Sequence, residues 1–124
     1  MTPAVLFPNI EALCVQFLAS AFTARGDSVH VSTRMPSPRP ERAVRVSRTG
    51  GGRINVGMDA PQVLFECWAP SDYESSELAR VTRALVGTME SFGSEMGSVV
   101  NYPDGSGIPR YQFAVQMFTA GETL

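Results

Sequence analysis

The chain has 124 residues, 44% of them hydrophobic and 18% charged, with a formal net charge of −2. That length fits one domain with a core large enough to fold without disulfides. The slight acidity argues against a strongly basic nucleic-acid module, and two cysteines with one histidine leave too few ligands for a zinc site.

The first residues, MTPAVLFPNIEAL, carry no basic segment and are interrupted by Pro3 and Pro8, so they do not read as a signal peptide. No apolar run reaches the roughly 18 to 20 residues that cross a bilayer, and a soluble, intracellular protein with no membrane partner is expected. Ile10, Leu13, Cys14, Phe17, Leu18, Ala21 and Phe22 then recur at 3-4 spacing, the stripe of an amphipathic helix. Asn9 is placed to cap its start and Gly26 to end it. Val29 to Thr33 alternates and predicts a short strand.

From Met35 to Pro40 the prolines at 36, 38 and 40 exclude a helix or a central strand, because they fix φ and lack donors. The stretch 34–42 is therefore expected to be an extended, exposed arm. Ala43 to Thr49 alternates, with Val44 and Val46 on one face and Arg45 and Ser47 on the other. Gly50, Gly51 and Gly52 follow, and the segment 50–58 is expected to form a hairpin tip. Gln62 to Trp68 is apolar on both faces and suits a central strand.

Pro70 ends that strand, and Ser71 with Glu74 has capping-box spacing. Leu78, Val81, Leu85, Val86 and Met89 give the second helix its apolar stripe. Gly93 and Gly97 close that region, Val99 to Tyr102 is a weak strand, NYPDGSGIP is a loop, and Tyr111 to Phe118 alternates as a last strand. The expected fold is α+β, with two helices packed on a mostly antiparallel sheet of four to five strands in the order α-β-β-β-α-β-β. A single domain spans 1–124.

The charge is unevenly spread. All ten basic residues are arginine, and six of them lie between residues 34 and 58 with one acid, Glu41; that stretch carries +5 and the remainder −7. Opposed faces of this kind can bind copies of one chain to each other, or can be a solvated loop and nothing more. Arginine favours the first use, since its fork suits carboxylates at interfaces.

Catalytic patterns are weak. His30 alternates within a strand, and no Ser-His-Asp set is evident around it. Gly50-Gly51-Gly52-Arg53 lacks the Lys and the following helix of a phosphate loop. Asp72, Glu74 and Glu77 sit where a helix dipole attracts acids. Cys14 and Cys67 read as buried thiols. No catalytic residue, cofactor or metal is expected.

Several segments together resemble one family. FPNIEAL at Phe7 to Leu13, VSTRMPSPRP at Val31 to Pro40 and RAVRVSRTGGGR at Arg42 to Arg53 look like tail terminator proteins of long-tailed (siphovirus) actinobacteriophages. The strand with Glu66 and Trp68, the helix with LARVTRALV and the closing PRYQFAVQ (Pro109 to Gln116) match the same layout. The likeness covers nearly the whole chain.

The resemblance implies an α+β fold similar to lambda-type tail terminators and a homo-oligomeric ring, a hexamer, on the head-proximal end of the tail tube. Its partners would be other copies of itself, the major tail tube protein and the head–tail connector or stopper protein. DNA would pass through the lumen without specific contact. Location would be the virion tail, after assembly in the host cytoplasm. Arg34, Arg39, Arg42, Arg45, Arg48 and Arg53 are the candidate intersubunit or tube contacts. The competing readings are another neck component, such as a head-completion or stopper protein, and a small cytoplasmic α+β enzyme.

Overall fold

The structure is a computed structural model and describes residues 2–124. Its elements are β1 (Val5–Leu6), α1 (Ile10–Ala24), β2 (His30–Ser32), β3 (Ala43–Asn55), β4 (Met58–Trp68), α2 (Asp72–Val86), β5 (Phe92–Asn101), β6 (Arg110–Met117), β7 (Thr119–Ala120) and β8 (Glu122–Thr123). The fold is α+β: two helices against one mixed sheet of six strands. The main sheet runs β2-β3-β4-β6-β5, with β7 pairing to β4, and β1 and β8 form a separate two-stranded ribbon. The expected helix and strand order is kept at the centre, but the sheet is larger and β2 pairs parallel to β3.

Both helices begin as their sequences dictate. The Asn9 side chain accepts from the Ala12 amide at 3.2 Å, and Gly26 takes φ +69° after the Arg25 cap, a conformation that favours glycine. Ser71 accepts from the Glu74 amide at 3.1 Å and donates its hydroxyl to the Glu74 carboxylate at 3.0 Å. The capping-box residues therefore meet, although the carboxylate bonds the serine hydroxyl.

One face of the sheet carries the core. Val44 and Val46 of β3, Val63, Phe65 and Cys67 of β4, and Phe113, Val115 and Met117 of β6 pack against Ile10, Cys14, Leu18 and Phe22 of α1 and Leu78, Ala79 and Val86 of α2. Phe65 and Phe113 are register partners and stack at 5.1 Å. The buried face of α2 also includes Ser75 and Thr82, whose hydroxyls donate to the carbonyls of Asp72 and Leu78. Local back-bonding hides these polar groups, so the true stripe is rotated from the purely apolar one. Cys14 and Cys67 are both buried thiols, and burial pushes each up to about 12.

Two expectations are revised. The chain does not reverse at the glycines: β3 continues through them to Asn55 and the reversal lies at Val56-Gly57. The glycines instead serve a register shift between Arg48 and Gly50. Gly51 has φ +82°, and a Cβ there would stand 2.0 Å from the Ala60 carbonyl oxygen. Opposite it is Pro61, which has no amide to offer the ladder. Likewise, Gly93 and Gly97 do not terminate structure but lie within β5, a ten-residue edge strand in place of the weak one at 99–102. Gly97 has φ +78° in the second shift, with open space around it.

These two glycines differ in a testable way. Gly51→Ala meets both backbone strain and a steric block, and should cost about 2 kcal/mol or more of unfolding free energy. Gly97→Ala meets strain alone and should cost about 1 kcal/mol. Urea denaturation of both variants checks the ranking.

Candidate functional site

The helices cover one face of the sheet, and the other face is left to its own side chains. Residues pointing there are Arg45 and Ser47 of β3, Leu64, Glu66 and Trp68 of β4, and Arg110, Gln112, Ala114 and Gln116 of β6, opposite in parity to the core residues. Most are half-buried, yet Glu66 and Trp68 are buried. Something other than a helix covers them.

The cover is the proline-rich segment and the loop before β6. Because β2 runs parallel to β3, with His30 opposite Ala43, the chain leaving Ser32 must travel back to the start level of β3. It therefore crosses near Trp68, the register partner of Ala43. Arg39 lays its guanidinium over the Trp68 ring at 5.3 Å, and Arg110 lies over the same ring at 5.3 Å. Asp104 ties the stack together, accepting from the Trp68 indole at 3.1 Å and from Arg39 Nη2 at 3.1 Å. The arm is thus anchored at Arg39, not wholly exposed. Two further Arg39 nitrogens, Nε and Nη1, are buried without an acceptor.

Glu66 sits one layer along. Arg45 donates to one carboxylate oxygen at 3.2 Å and Arg110 to the other at 2.9 Å. Arg45 also donates to the Thr33 carbonyl at 3.2 Å, and Arg110 to the Tyr102 carbonyl at 2.7 Å. A buried carboxylate is tolerated when it is paired and hydrogen-bonded in this manner. Asp104 accepts from the Ser106 hydroxyl and amide and from Trp68, and faces the Arg39 charge. These hold its carboxyl well below the usual carboxylate range, with desolvation opposing.

The other arginines singled out in the sequence lie elsewhere. Arg48 clamps Asp59 at 3.0 and 3.3 Å and reaches the Gly50 and Gly51 carbonyls at the register shift. Arg42 pairs with Asp27, whose carboxyl is lowered chiefly by that hydrogen bond. Arg53 stacks on Phe7 at 5.2 Å near the hairpin end. Arg34 makes no ion pair among the described residues. The six therefore do not form one patch: Arg39 and Arg45 join the sheet-face network, and Arg42, Arg48 and Arg53 each fix a separate part of the frame. Sequence reasoning missed Arg110, Trp68, Glu66 and Asp104 as a unit. The only sequence hint was charge placed within otherwise apolar strands, at Glu66 and Arg110.

His30 borders an open surface cleft with Asp27, Glu41 and Arg42. The Asp27 carboxylate there is taken by Arg42. Among the described residues, no three His, Cys, Asp or Glu side chains converge as metal ligands. The charged groups of the sheet face pair with one another.

The chain matches no known family model, and no curated protein matches it either.

Because the carboxyl of Asp104 titrates lower in the folded state than its ordinary value of 3.8, its stabilisation is fully present above about pH 4 and fades as pH falls below that. Asp104→Asn should therefore lower stability at pH 7, and the gap from the parent should shrink on acidification to pH 3. Paired urea titrations at the two pH values check the sign. Trp68 is the only tryptophan, so Arg39→Ala should also red-shift the emission maximum as the ring loses its cover.

Proposed function

We propose that this protein is a structural component of a phage particle, a tail terminator that closes the head-proximal end of the tail tube as a ring. Support comes from the resemblance over nearly the whole chain and from one surface feature that carries the reading. The β3–β4 hairpin projects past the core and ends in Ile54, Val56 and Met58, which are 56%, 50% and 38% exposed. Leu6, on the terminal ribbon that docks beside the hairpin through Gly57 and Gly121, adds a further exposed apolar group. An apolar end beside which Arg53 is already stacked on Phe7 suits a protein partner better than solvent.

The sheet borders favour ring closure. Among the described residues β5 has no strand on its outer side, and neither does β3 beyond Arg45, where the Arg48 amide donates to Glu11 instead. Within the chain β3 and β5 point in opposite directions, since each step β3-β4-β6-β5 is antiparallel. A rotation about an axis along the strands brings β5 of one copy beside β3 of the next in antiparallel order. A head-to-tail contact of this kind closes into a ring when the rotation divides a full turn. In that setting the arginines act mainly by holding the presenting frame, with Arg34 and the outward parts of Arg45 and Arg53 available at contacts.

The neighbours in this reading are the major tail tube protein at one end and the connector or stopper at the other. Deleting the gene from its phage should give overlong tails or tails unjoined to heads in electron micrographs; heads that leak DNA would instead fit a stopper. Ile54→Ser with Val56→Ser should leave the unfolding midpoint within about 2 °C of the parent, as exposed substitutions do, and should abolish rescue of that phage. Full rescue by the double variant would remove the hairpin from the contact.

A further inference from the structure

The outward face of α2 is used by neither the core nor the sheet network. Tyr73, Glu77, Arg80 and Ala84 fall at i, i+4, i+7 and i+11, and so lie along one line of the helix, opposite the buried line Ser75, Leu78, Ala79, Thr82 and Val86. At one end of that line the surface protrudes: Tyr73 is 74% exposed, the most exposed aromatic among the described residues. At the other end it is hollow. Ala84 lies between two open clefts, a smaller one of about 240 Å³ against Arg25, Arg80, Val81 and Leu85, and a larger one against Arg83, Gly87, Thr88 and Glu95.

The charges follow the same polarity. Asp72, Glu74 and Glu77 lie towards the protruding end, and Arg80 and Arg83 towards the hollow end, with Arg25 of the α1 cap beside them. Glu77 and Arg80 already pair on the surface at 2.7 Å, and Arg83 pairs with Glu95 of β5.

The knob and the hollow point the same way, since eleven residues return the helix to within about 20° of its starting direction. A knob can enter a hollow only from a helix that faces the opposite way. A second copy therefore has to be turned by half a revolution, and a head-to-tail ring contact cannot use this stripe. We infer that α2 is a self-complementary docking surface for a second copy of this chain, with the two helices antiparallel about a two-fold axis between Leu78 and Ala79. In that register Tyr73 of each copy faces Ala84 of the other, Glu74 faces Arg83, and Glu77 faces Arg80. The phenol ring enters a hollow floored by Val81 and Leu85 and rimmed by two guanidinium groups, which also attract the ring face. The two surface Glu77–Arg80 pairs merge into one alternating square of charge. Each contact is made twice, as in any isologous interface.

The contact lies on the helical layer and is independent of the ring reading, which uses the hairpin and the sheet borders. A single helix–helix contact is small for a stable interface, so a covalent trap suits the test. Tyr73 and Ala84 are about 16 Å apart along one helix, too far for a disulfide within a chain. Cys14 and Cys67 are fully buried and stay silent. Mild oxidation of Tyr73→Cys/Ala84→Cys at high protein concentration should give a doubly linked dimer and nothing larger. A ladder of higher species, or monomer alone, overturns the inference. Adding Arg80→Glu places like charges opposite each other and should cut the initial linking rate by about tenfold, a change of 1.4 kcal/mol. Adding Glu77→Arg as well restores alternation and should restore the rate. Circular dichroism confirms that each exposed substitution leaves the fold intact. An unchanged rate in the Arg80→Glu variant, or no recovery on adding Glu77→Arg, equally overturns the assignment.

Discussion

Two helices can cover only one side of a six-stranded sheet, and most of the remaining structure answers that limit. The uncovered side cannot be fully apolar, for it would then bind indiscriminately, and it cannot be freely charged where the strands are central. The solution is Glu66, buried at the sheet centre with Arg45 and Arg110 on its two oxygens. Pairing neutralises most of the charge, and the shared carboxylate holds both guanidinium groups at the sheet face. Trp68 is then covered by the guanidinium groups of Arg39 and Arg110. The proline-rich crossover and the loop bearing Asp104 are anchored to the body through that ring.

The same limit accounts for how arginine is used throughout. A run of six in twenty residues suggests a basic patch, yet Arg39, Arg42, Arg45 and Arg48 each have a carboxylate partner within the chain. Those partners, Asp104, Asp27, Glu66 and Asp59, are scattered over the chain, so folding dissolves the asymmetry that the linear sequence displays. What is left at the surface is an apolar hairpin end, the strand borders of β3 and β5, and an outward line of α2 that alternates in charge. The two cysteines are free, buried thiols.

The glycines show how one residue type can be read two ways. Three in succession fit a flexible tip, and they fit equally a strand that must kink past a neighbour with no amide. Pro61 decides for the second, but Pro61 faces Gly51 only when the ladder is in register. β5 was obscured for a related reason. Its two glycines and its polar exposed positions erase the alternation by which an edge strand is recognised, because an edge has little core to bury.

The helices and their caps, the central strands with their alternating core residues, the α+β class and the buried state of both cysteines could all be read from the order of residues alone. Each rests on signals within a few residues: side-chain period, an N-cap oxygen, a glycine after the last turn. Residue order left open the parallel pairing of β2, the extent of β5, the position of the turn within 50–58, and the partners of the arginines. Those depend on which segments become neighbours across the sheet. Glu66 and Arg110 lie 44 positions apart and meet only because β4 and β6 pair in one register. Charge and spacing could be read from the line of residues, but ion pairs and edges exist only once the sheet has formed.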